Sequence, residues 1–269
     1  MIGFTTRTFN PAIGTGATTL GQLVRWAAAE RFPWLEVRDS DLSLRAQDLR
    51  ELKRIADGGG VRLHYAWDGT NILDPADEAL FLRGVKNSAV FGRDTFVRLT
   101  IAGRAIRDNP SRVGYSRTEL ATLQDRIEGY LRTASEHRVR LVFENSYEPL
   151  SAAQSGEAGV VELLERIPSM SLTFDPGNFM DREHNRSYCA AAALERFYNE
   201  NKDRLPYVHV KMTKDNVVQP GFIEDGDLAP AFYRQILADG KLVCIELSES
   251  EELEDCRSRI LGARSLLAR

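Results

Sequence analysis

The chain has 269 residues, of which 43% are hydrophobic and 28% charged, with a formal net charge of -4 and a pI of about 5.7. These are values of a globular protein with a sizeable core, and the acidic balance argues against a nucleic-acid partner, which usually meets a basic face. The N-terminus lacks a signal-peptide pattern, and no run approaches the roughly 18 apolar residues of a membrane helix. The sequence therefore predicts a cytoplasmic protein without membrane segments.

The three cysteines, Cys189, Cys244 and Cys256, are scattered and form no CxxC pair. This pattern is typical of free thiols in a reducing compartment, with one disulfide as the alternative. We expect no cysteine to lie where it would build a soft metal site.

Short β-rich runs alternate with longer amphipathic runs along the chain. The predicted strands are IGFT, WLEVR, RLHYA, TFVRLTI, RLVFE, SLTFD, YVHVK and LVCIE, beginning at residues 2, 34, 62, 95, 140, 171, 207 and 242. The predicted helices are LGQLVRWAAAERF, DLSLRAQDLRELKRIADGGG, one starting at Asp74-Pro75, one starting at the capping box Ser116–Glu119, GEAGVVELLERI, YCAAAALERFYNENKD, DLAPAFYRQILADG and ELEDCRSRILGARSLLA.

Alternating strands and helices predict a parallel sheet, and eight such units predict a single-domain (β/α)8 TIM barrel over residues 1–269. A doubly wound open sheet is the alternative. That fold more often carries a glycine-rich nucleotide turn after the first strand, whereas NPAIGTGATTL holds only a loose Gly-Thr-Gly.

Four predicted strands end in side chains that bind metals or transfer protons: Glu144, Asp175, His209 and Glu246. Because alternate residues of a strand face the barrel interior, all four are predicted to point inward at the carboxyl ends of consecutive strands, where TIM-barrel enzymes carry their sites. Three carboxylates this close need nearby cations, for which Lys211, Arg98 or a bound ion are candidates. Carboxylate oxygens and one imidazole nitrogen suit a single Mn²⁺, Mg²⁺, Co²⁺ or Zn²⁺.

The same alternation places further polar side chains inside the barrel. Arg38 and Arg98 are expected to pair with Glu36 as structural ions. A substrate anion is their alternative partner, so Arg98 is also a candidate substrate-binding residue. His64 is either a substrate contact or a structural hydrogen-bond partner. Lys211 is a predicted catalytic residue that stabilises negative charge on the substrate, with a counter-charge for the carboxylates as the alternative.

The segments around the four strand ends resemble the sugar phosphate isomerase/epimerase branch of the xylose isomerase-like TIM-barrel superfamily. The likeness lies in FEN at Glu144, FDPGNF at Asp175, VHVK at His209 and IELSES at Glu246, and it extends over essentially the whole chain. The resemblance implies that these four residues hold one divalent metal and that Glu144 and Glu246 are also the acid and the base. The stretch GFIEDGDLAP resembles a glycine-containing turn of that family.

Two positions depart from the pattern of ketose epimerases. Those enzymes often carry a histidine substrate ligand three residues after the strand-six aspartate, and this chain has Asn178, a predicted substrate-binding residue. They also tend to carry an arginine beyond the strand-seven histidine, where this chain reads MTKDN. Lys214 in that segment is either a substitute or a solvated residue. The metal pattern is intact, and we expect a substrate other than a simple ketohexose.

These features predict a metal-dependent isomerase or epimerase acting on a sugar or related polyhydroxy ketone. The ion would hold a substrate hydroxyl and the neighbouring carbonyl and stabilise the enediolate, while one glutamate removes the α-proton and the other returns it. Return to the same carbon is epimerisation, and return to the adjacent carbon is aldose–ketose isomerisation. The predicted partner is a small sugar-like molecule, with no nucleic acid and no membrane, and a homo-oligomer is compatible with the sequence.

Three other functions share parts of this pattern. A dehydratase of the same superfamily would use the same metal and base and then expel a β-hydroxyl. An endonuclease IV-like repair enzyme would need several metals, more histidines than the four present and a basic groove. A sugar- or metal-binding barrel without catalysis is the non-enzyme alternative.

Overall fold

The computed structural model describes residues 1–40, 42–67, 71–183, 185–222 and 224–269. The strands within these residues are β1 (Ile2–Thr5), β2 (Trp34–Arg38), β3 (Arg62–Trp67), β4 (Phe96–Thr100), β5 (Arg140–Glu144), β6 (Leu172–Phe174), β7 (Tyr207–Val210), β8 (Thr213–Lys214), β9 (Val217–Val218) and β10 (Leu242–Ile245). All except β8 and β9 are parallel and close into a barrel in the order β1-β10-β7-β6-β5-β4-β3-β2. The predicted single-domain TIM barrel is confirmed.

Helices cover the outside of the barrel. Over the described residues they are α1 (Asn10–Gly14), α2 (Leu20–Ala29), α3 (Ala46–Gly59), α4 (Asp77–Ala89), α5 (Gly103–Arg107), α6 (Arg117–Glu136), α7 (Val160–Arg166), α8 (Pro176–Met180), α9 (Ala191–Asn201), α10 (Pro230–Ala238) and α11 (Leu253–Ala268). Short 3-10 helices occupy Thr6–Phe9, Ala153–Ser155 and Lys202–Arg204. No helix in these ranges is both long and apolar enough to cross a membrane.

The alternation of side chains along the strands divides the core into two parts. Outward residues such as Leu35, Val97 and Val208 pack under the helices in one large apolar cluster. The inward residues form a smaller separate cluster of Trp34, Phe96, Val142, Tyr207, Leu242 and Cys244. Aromatic and apolar side chains therefore fill one level of the barrel interior, and the charged side chains predicted to face inward lie elsewhere in it.

Several helices begin later than predicted, α3, α4, α7, α9 and α10 among them. The predicted helix from residue 41 starts at Ala46 and ends at Gly59, and Asp41 lies outside the described residues. Gly60 follows with a left-handed φ of 68°, a common helix end because glycine has no Cβ to clash. In α4, the Asp74 carboxylate accepts the Ala76 N–H and forms a turn, so the helix starts at Asp77 rather than Pro75.

The ribbon of β8 and β9 follows β7 directly and was not predicted. It is antiparallel, and Asp215 and Asn216 form its tight turn with φ of 54° and 58°. Two-residue strands carry too short an alternation to be recognised in a sequence. The prediction of free thiols is confirmed, since Cys189, Cys244 and Cys256 are all unpaired.

Candidate active site

The carboxyl ends of β5, β6, β7 and β10 bring four side chains together: Glu144, Asp175, His209 and Glu246. One ligand-type atom of each lies within 4.8 Å of the other three, and all four residues are buried. His209 Nδ1 is the centre of the group. It lies 2.9 Å from Glu144 Oε1, 2.7 Å from Glu246 Oε2 and 3.6 Å from Asp175 Oδ2.

The segment FDPGN explains how Asp175 is placed. Asp175 caps α8, and its Oδ1 accepts the Asn178 N–H at 3.0 Å, which leaves Oδ2 for the cluster. Asn145, after β5, bonds both the N–H and the carbonyl of Asp175 at 3.0 and 2.8 Å. A Cβ at position 177 would lie 2.6 Å from Lys211 Cβ, so only glycine allows Lys211 to approach this closely.

Arg98 neutralises the cluster from below. Its Nε donates to Glu36 Oε2 at 3.0 Å, and its Nη1 donates to Glu144 Oε2. Both carboxylates and the guanidinium are nearly fully buried. Burial by itself would raise the pKa of Glu36, but Arg98 and His209 outweigh it and lower this pKa to about 2.

Lys211 and Arg7 neutralise the cluster from above. Lys211 Nζ lies 2.7 Å from Asp175 Oδ2, 3.1 Å from Glu246 Oε1 and 3.0 Å from Asn178 Oδ1. Arg7, in the 3-10 helix after β1, places Nη1 2.5 Å from the same Glu246 oxygen. The Tyr233 hydroxyl donates to the Lys211 carbonyl at 2.9 Å and fixes the backbone there.

The surrounding charges shift the pKa values in opposite directions. Burial alone would raise the pKa of Asp175 and of Glu246, but the Lys211 charge outweighs it, and both pKa values lie below their usual range. Burial alone would lower the pKa of His209, but the charges of Glu246 and Glu144 raise it well above its usual value. The cluster is therefore held together by alternating charges rather than by neutral groups.

Three atoms of the cluster are buried without a well-oriented hydrogen bond: Asp175 Oδ2, His209 Nδ1 and Glu246 Oε2. Their charged neighbours lie 2.7 to 3.6 Å away but outside hydrogen-bonding orientation. Buried polar atoms without such bonds are rare, and these converge on one point. Carboxylate oxygens and an imidazole nitrogen are donors that suit a divalent cation, so the cluster is consistent with a metal site.

A pocket of about 420 Å³ opens above the cluster. Glu144, Glu246, Lys211 and Asn178 line it, which brings four predicted site residues to one surface. Further lining residues that the sequence reasoning did not assign to the site are Arg7, Arg104, Ser146, Tyr147, Asp181, Ser248 and Glu249. The volume is that of an ordinary small-molecule site.

The expectation about cysteines needs a correction. Cys244 faces the barrel interior, and its Sγ lies within 4.8 Å of ligand-type atoms of Glu36 and His209. However, Arg98 already donates to both oxygens of Glu36, and the Tyr207 hydroxyl donates to Oε2. This deeper group is a hydrogen-bonded network, and we do not assign a second ion to it.

The model of the xylose isomerase-like TIM barrel family matches residues 24–258. The chain belongs to this family. No curated protein sequence matches this xylose isomerase-like protein significantly.

Solved structures of sugar epimerases share its fold. D-psicose 3-epimerase from Clostridium cellulolyticum H10, determined with D-tagatose, is 12% identical with a TM-score of 0.70, covering 99% of each chain. L-ribulose 3-epimerase is 15% identical with a TM-score of 0.68, covering 99% of this chain and 93% of the other. A sugar phosphate isomerase/epimerase from Parabacteroides distasonis ATCC 8503 is 9% identical with a TM-score of 0.68 and the same coverages. At sequence identities this low, the structural similarity establishes the common fold alone.

Two predicted substrate-binding residues of this xylose isomerase-like barrel lie away from the pocket. His64 is 1% exposed, and its Nδ1 accepts the Phe96 N–H at 3.0 Å, so the structural alternative replaces the predicted substrate contact. Arg98 is likewise 1% exposed beneath the cluster, paired with Glu36 and Glu144, and is a structural ion. Both corrections concern depth along the barrel axis and not the face of the strand.

Arg38 and Lys214 are two further basic residues that the sequence singled out. Arg38 Nη1 lies 3.8 Å from Glu36 Oε1, as predicted, but the side chain also lines the pocket. Lys214 is a surface residue that pairs with Asp225, so it is solvated. Asp225 belongs to the turn GFIEDGDLAP, in which Ile223 lies outside the described residues.

Arg7 is a pocket residue that the sequence did not reveal, because it lies in a helical turn where strand alternation does not apply.

Proposed function

We propose that this protein is a divalent-metal-dependent isomerase or epimerase of a sugar or related polyhydroxy ketone. The observation that carries the proposal is the set of four buried donor groups within 4.8 Å of one another, beneath a pocket of about 420 Å³. Membership of the xylose isomerase-like family and the fold shared with sugar 3-epimerases support it.

Glu144, Asp175, His209 and Glu246 would hold one ion, Mn²⁺, Mg²⁺, Co²⁺ or Zn²⁺. When bound, a divalent ion supplies Lewis-acid stabilisation of negative charge on a carbonyl oxygen of the substrate. The protein supplies the remaining chemistry, which is binding, orientation and proton transfer.

Glu144 and Glu246 are proposed to be the acid and the base. In each carboxylate one oxygen faces His209 Nδ1, and the other is held by a cation, Arg98 for Glu144 and Lys211 for Glu246. The low pKa of Glu246 keeps it ionised near neutral pH, as a proton acceptor must be. One glutamate removes the proton α to the carbonyl, and the other returns it on the opposite side or on the adjacent carbon.

Lys211 and Asn178 are proposed to bind the substrate oxygens. Lys211 lines the pocket, and burial, which would lower its pKa, is outweighed by Asp175 and Glu246, which raise it. The ammonium is therefore charged, and its position in the pocket beside Asp175 and Glu246 suits a contact with an oxygen of the enediolate. A positive charge placed there in advance stabilises the transition state more than the substrate.

The test is proton exchange at the α-carbon in D₂O, followed by NMR across a panel of ketoses, aldoses, sugar acids and sugar phosphates with Mn²⁺, Co²⁺ or Mg²⁺ added. We expect deuterium incorporation and formation of an epimer or isomer with at least one substrate. A Glu246→Gln variant in saturating metal is the control. Metal binding without exchange across the panel would contradict the proposal.

A further inference from the structure

Glu36 is a buried carboxylate that comes from β2, which is separated from β7 by β1 and β10 in the closed barrel. Its Oε2 accepts hydrogen bonds from the Tyr207 hydroxyl at 2.7 Å and from Arg98 Nε at 3.0 Å. The third neighbour of this oxygen is His209 Nε2, at 3.4 Å. Glu36 is 1% exposed and does not touch the pocket, so it is placed to act on the site only through its neighbours.

The two ring nitrogens of His209 face different groups. Nδ1 faces Glu144, Asp175 and Glu246, whereas Nε2 faces Glu36. A neutral imidazole carries its proton on one nitrogen and a lone pair on the other, and an ionised carboxylate can only accept. Carboxylates therefore favour a proton on either nitrogen of the metal-free ring. If a divalent ion takes the place of the proton on Nδ1, the carboxylate beside Nε2 favours the tautomer with the remaining proton on Nε2 and the lone pair on Nδ1.

We propose that Glu36 is a positioning residue that holds His209 in the tautomer and ring orientation required of a metal ligand. The inference rests on the proposed metal site. Metal-binding histidines commonly donate their second N–H to a carboxylate, which fixes the ring and raises its basicity. Here the carboxylate is supplied across the barrel, from an element that contributes none of the four ligand-type groups.

Arg98 extends the same effect to a second member of the cluster. The guanidinium joins Glu36 to Glu144 and holds Glu144 Oε2, so Oε1 is the oxygen that faces His209. Glu36 thus contacts one cluster residue directly and another through a single side chain. The competing explanation is that Glu36 only balances the charge of Arg98, as buried ion pairs commonly do.

Glu36→Gln and Glu148→Gln test whether the Glu36 carboxylate acts on the cluster. Glu148 is an equally buried carboxylate near the pocket, and it accepts bonds from Ser146 N–H at 2.7 Å and the Tyr115 hydroxyl at 2.7 Å. We expect Glu36→Gln to weaken Mn²⁺ binding, measured by calorimetry, by about 10- to 100-fold, as for other residues that orient a metal ligand. Glu148→Gln should change this affinity by less than about threefold, because it has no contact with the cluster.

A second measurement separates positioning of His209 from charge balance of Arg98, and it needs no variant. In the Zn²⁺-loaded wild-type protein, ¹⁵N NMR should show His209 protonated at Nε2 and not at Nδ1. The opposite tautomer, or a Glu36→Gln variant that binds Mn²⁺ as the wild type does, would overturn the assignment and leave the metal site standing. Wild-type protein that binds neither Mn²⁺ nor Zn²⁺ would instead overturn the proposed function, and this inference with it.

Discussion

Two histidines inside the same barrel lie in opposite surroundings. His64, on β3, packs against the rings of Trp34, Phe96 and Tyr207, with centroids 5.3, 5.4 and 6.3 Å away. Burial among these groups disfavours the charged form and lowers the pKa of His64 to about 3. His209, on β7, is surrounded by carboxylates.

The carboxylates reverse the effect of burial on His209. Burial lowers its pKa as it does for His64, but the charges of Glu246 and Glu144 raise it well above the usual value. Both residues are almost completely buried and both face inward. Burial alone therefore does not make a histidine neutral or functional. The direction of its pKa shift depends on the charged side chains at its depth in the barrel.

The largest difference between the two histidines should appear in metal binding. We expect His209→Gln to weaken Mn²⁺ binding by more than about 100-fold, since removing a ligand should cost more than removing the residue that orients it. His64→Asn should bind Mn²⁺ like the wild type. Calorimetry measures both affinities, and the thermal stabilisation that Mn²⁺ gives the wild type should be absent in His209→Gln. Equal affinities for the two variants would remove His209 from the ligand set.

Proton transfer should depend on the two glutamates that face His209. We expect Glu144→Gln and Glu246→Gln, each in saturating Mn²⁺, to slow α-proton exchange by about 10²- to 10⁴-fold, because an amide cannot accept the proton. Exchange is followed by NMR in D₂O with a substrate found in the panel. Wild-type exchange rates in either variant would exclude that glutamate from the acid–base pair.

Lys211 tests whether the charge above the cluster acts in the transition state. Lys211→Met should lower kcat by about 10²-fold and change KM less, as expected when a group stabilises charge that develops during the reaction. Lys214→Met is the matched control, because Lys214 pairs with Asp225 at the surface. A raised KM with normal kcat would show that Lys211 anchors a substrate anion, and unchanged kcat/KM that it is a counter-charge.

The smallest effect should be that of pH on His64. Because its folded pKa of about 3 lies below the unfolded value of 6.5, the unfolded chain binds more protons between these values, and stability falls as pH falls through this window. At pH 5 this costs about 2 kcal/mol relative to neutral pH. We expect His64→Asn to lose about that much less stability than the wild type between pH 7.5 and 5, measured by urea denaturation. Parallel pH profiles would show that His64 titrates normally.

The sequence by itself determined the elements of the barrel and the inward face of its strands. Alternation with a period of two is local, so the inward positions of Glu144, His209 and Glu246 could be deduced from a few neighbouring residues. The arrival of these residues at one place required only that parallel strands end at the same rim. That is why the sequence predicts the four residues whose ligand-type atoms lie within 4.8 Å of one another at the rim.

Only the tertiary structure decided depth and partners. His64 and His209 are each the third residue of their strand, yet the tilt and stagger of barrel strands place one among aromatic rings and the other among carboxylates. Closure of β1 against β10 brings Arg7 to Glu246, 239 residues away. Glu36 likewise meets His209 across the barrel. Such contacts depend on how eight strands close around a common axis, and no local pattern of residues encodes that.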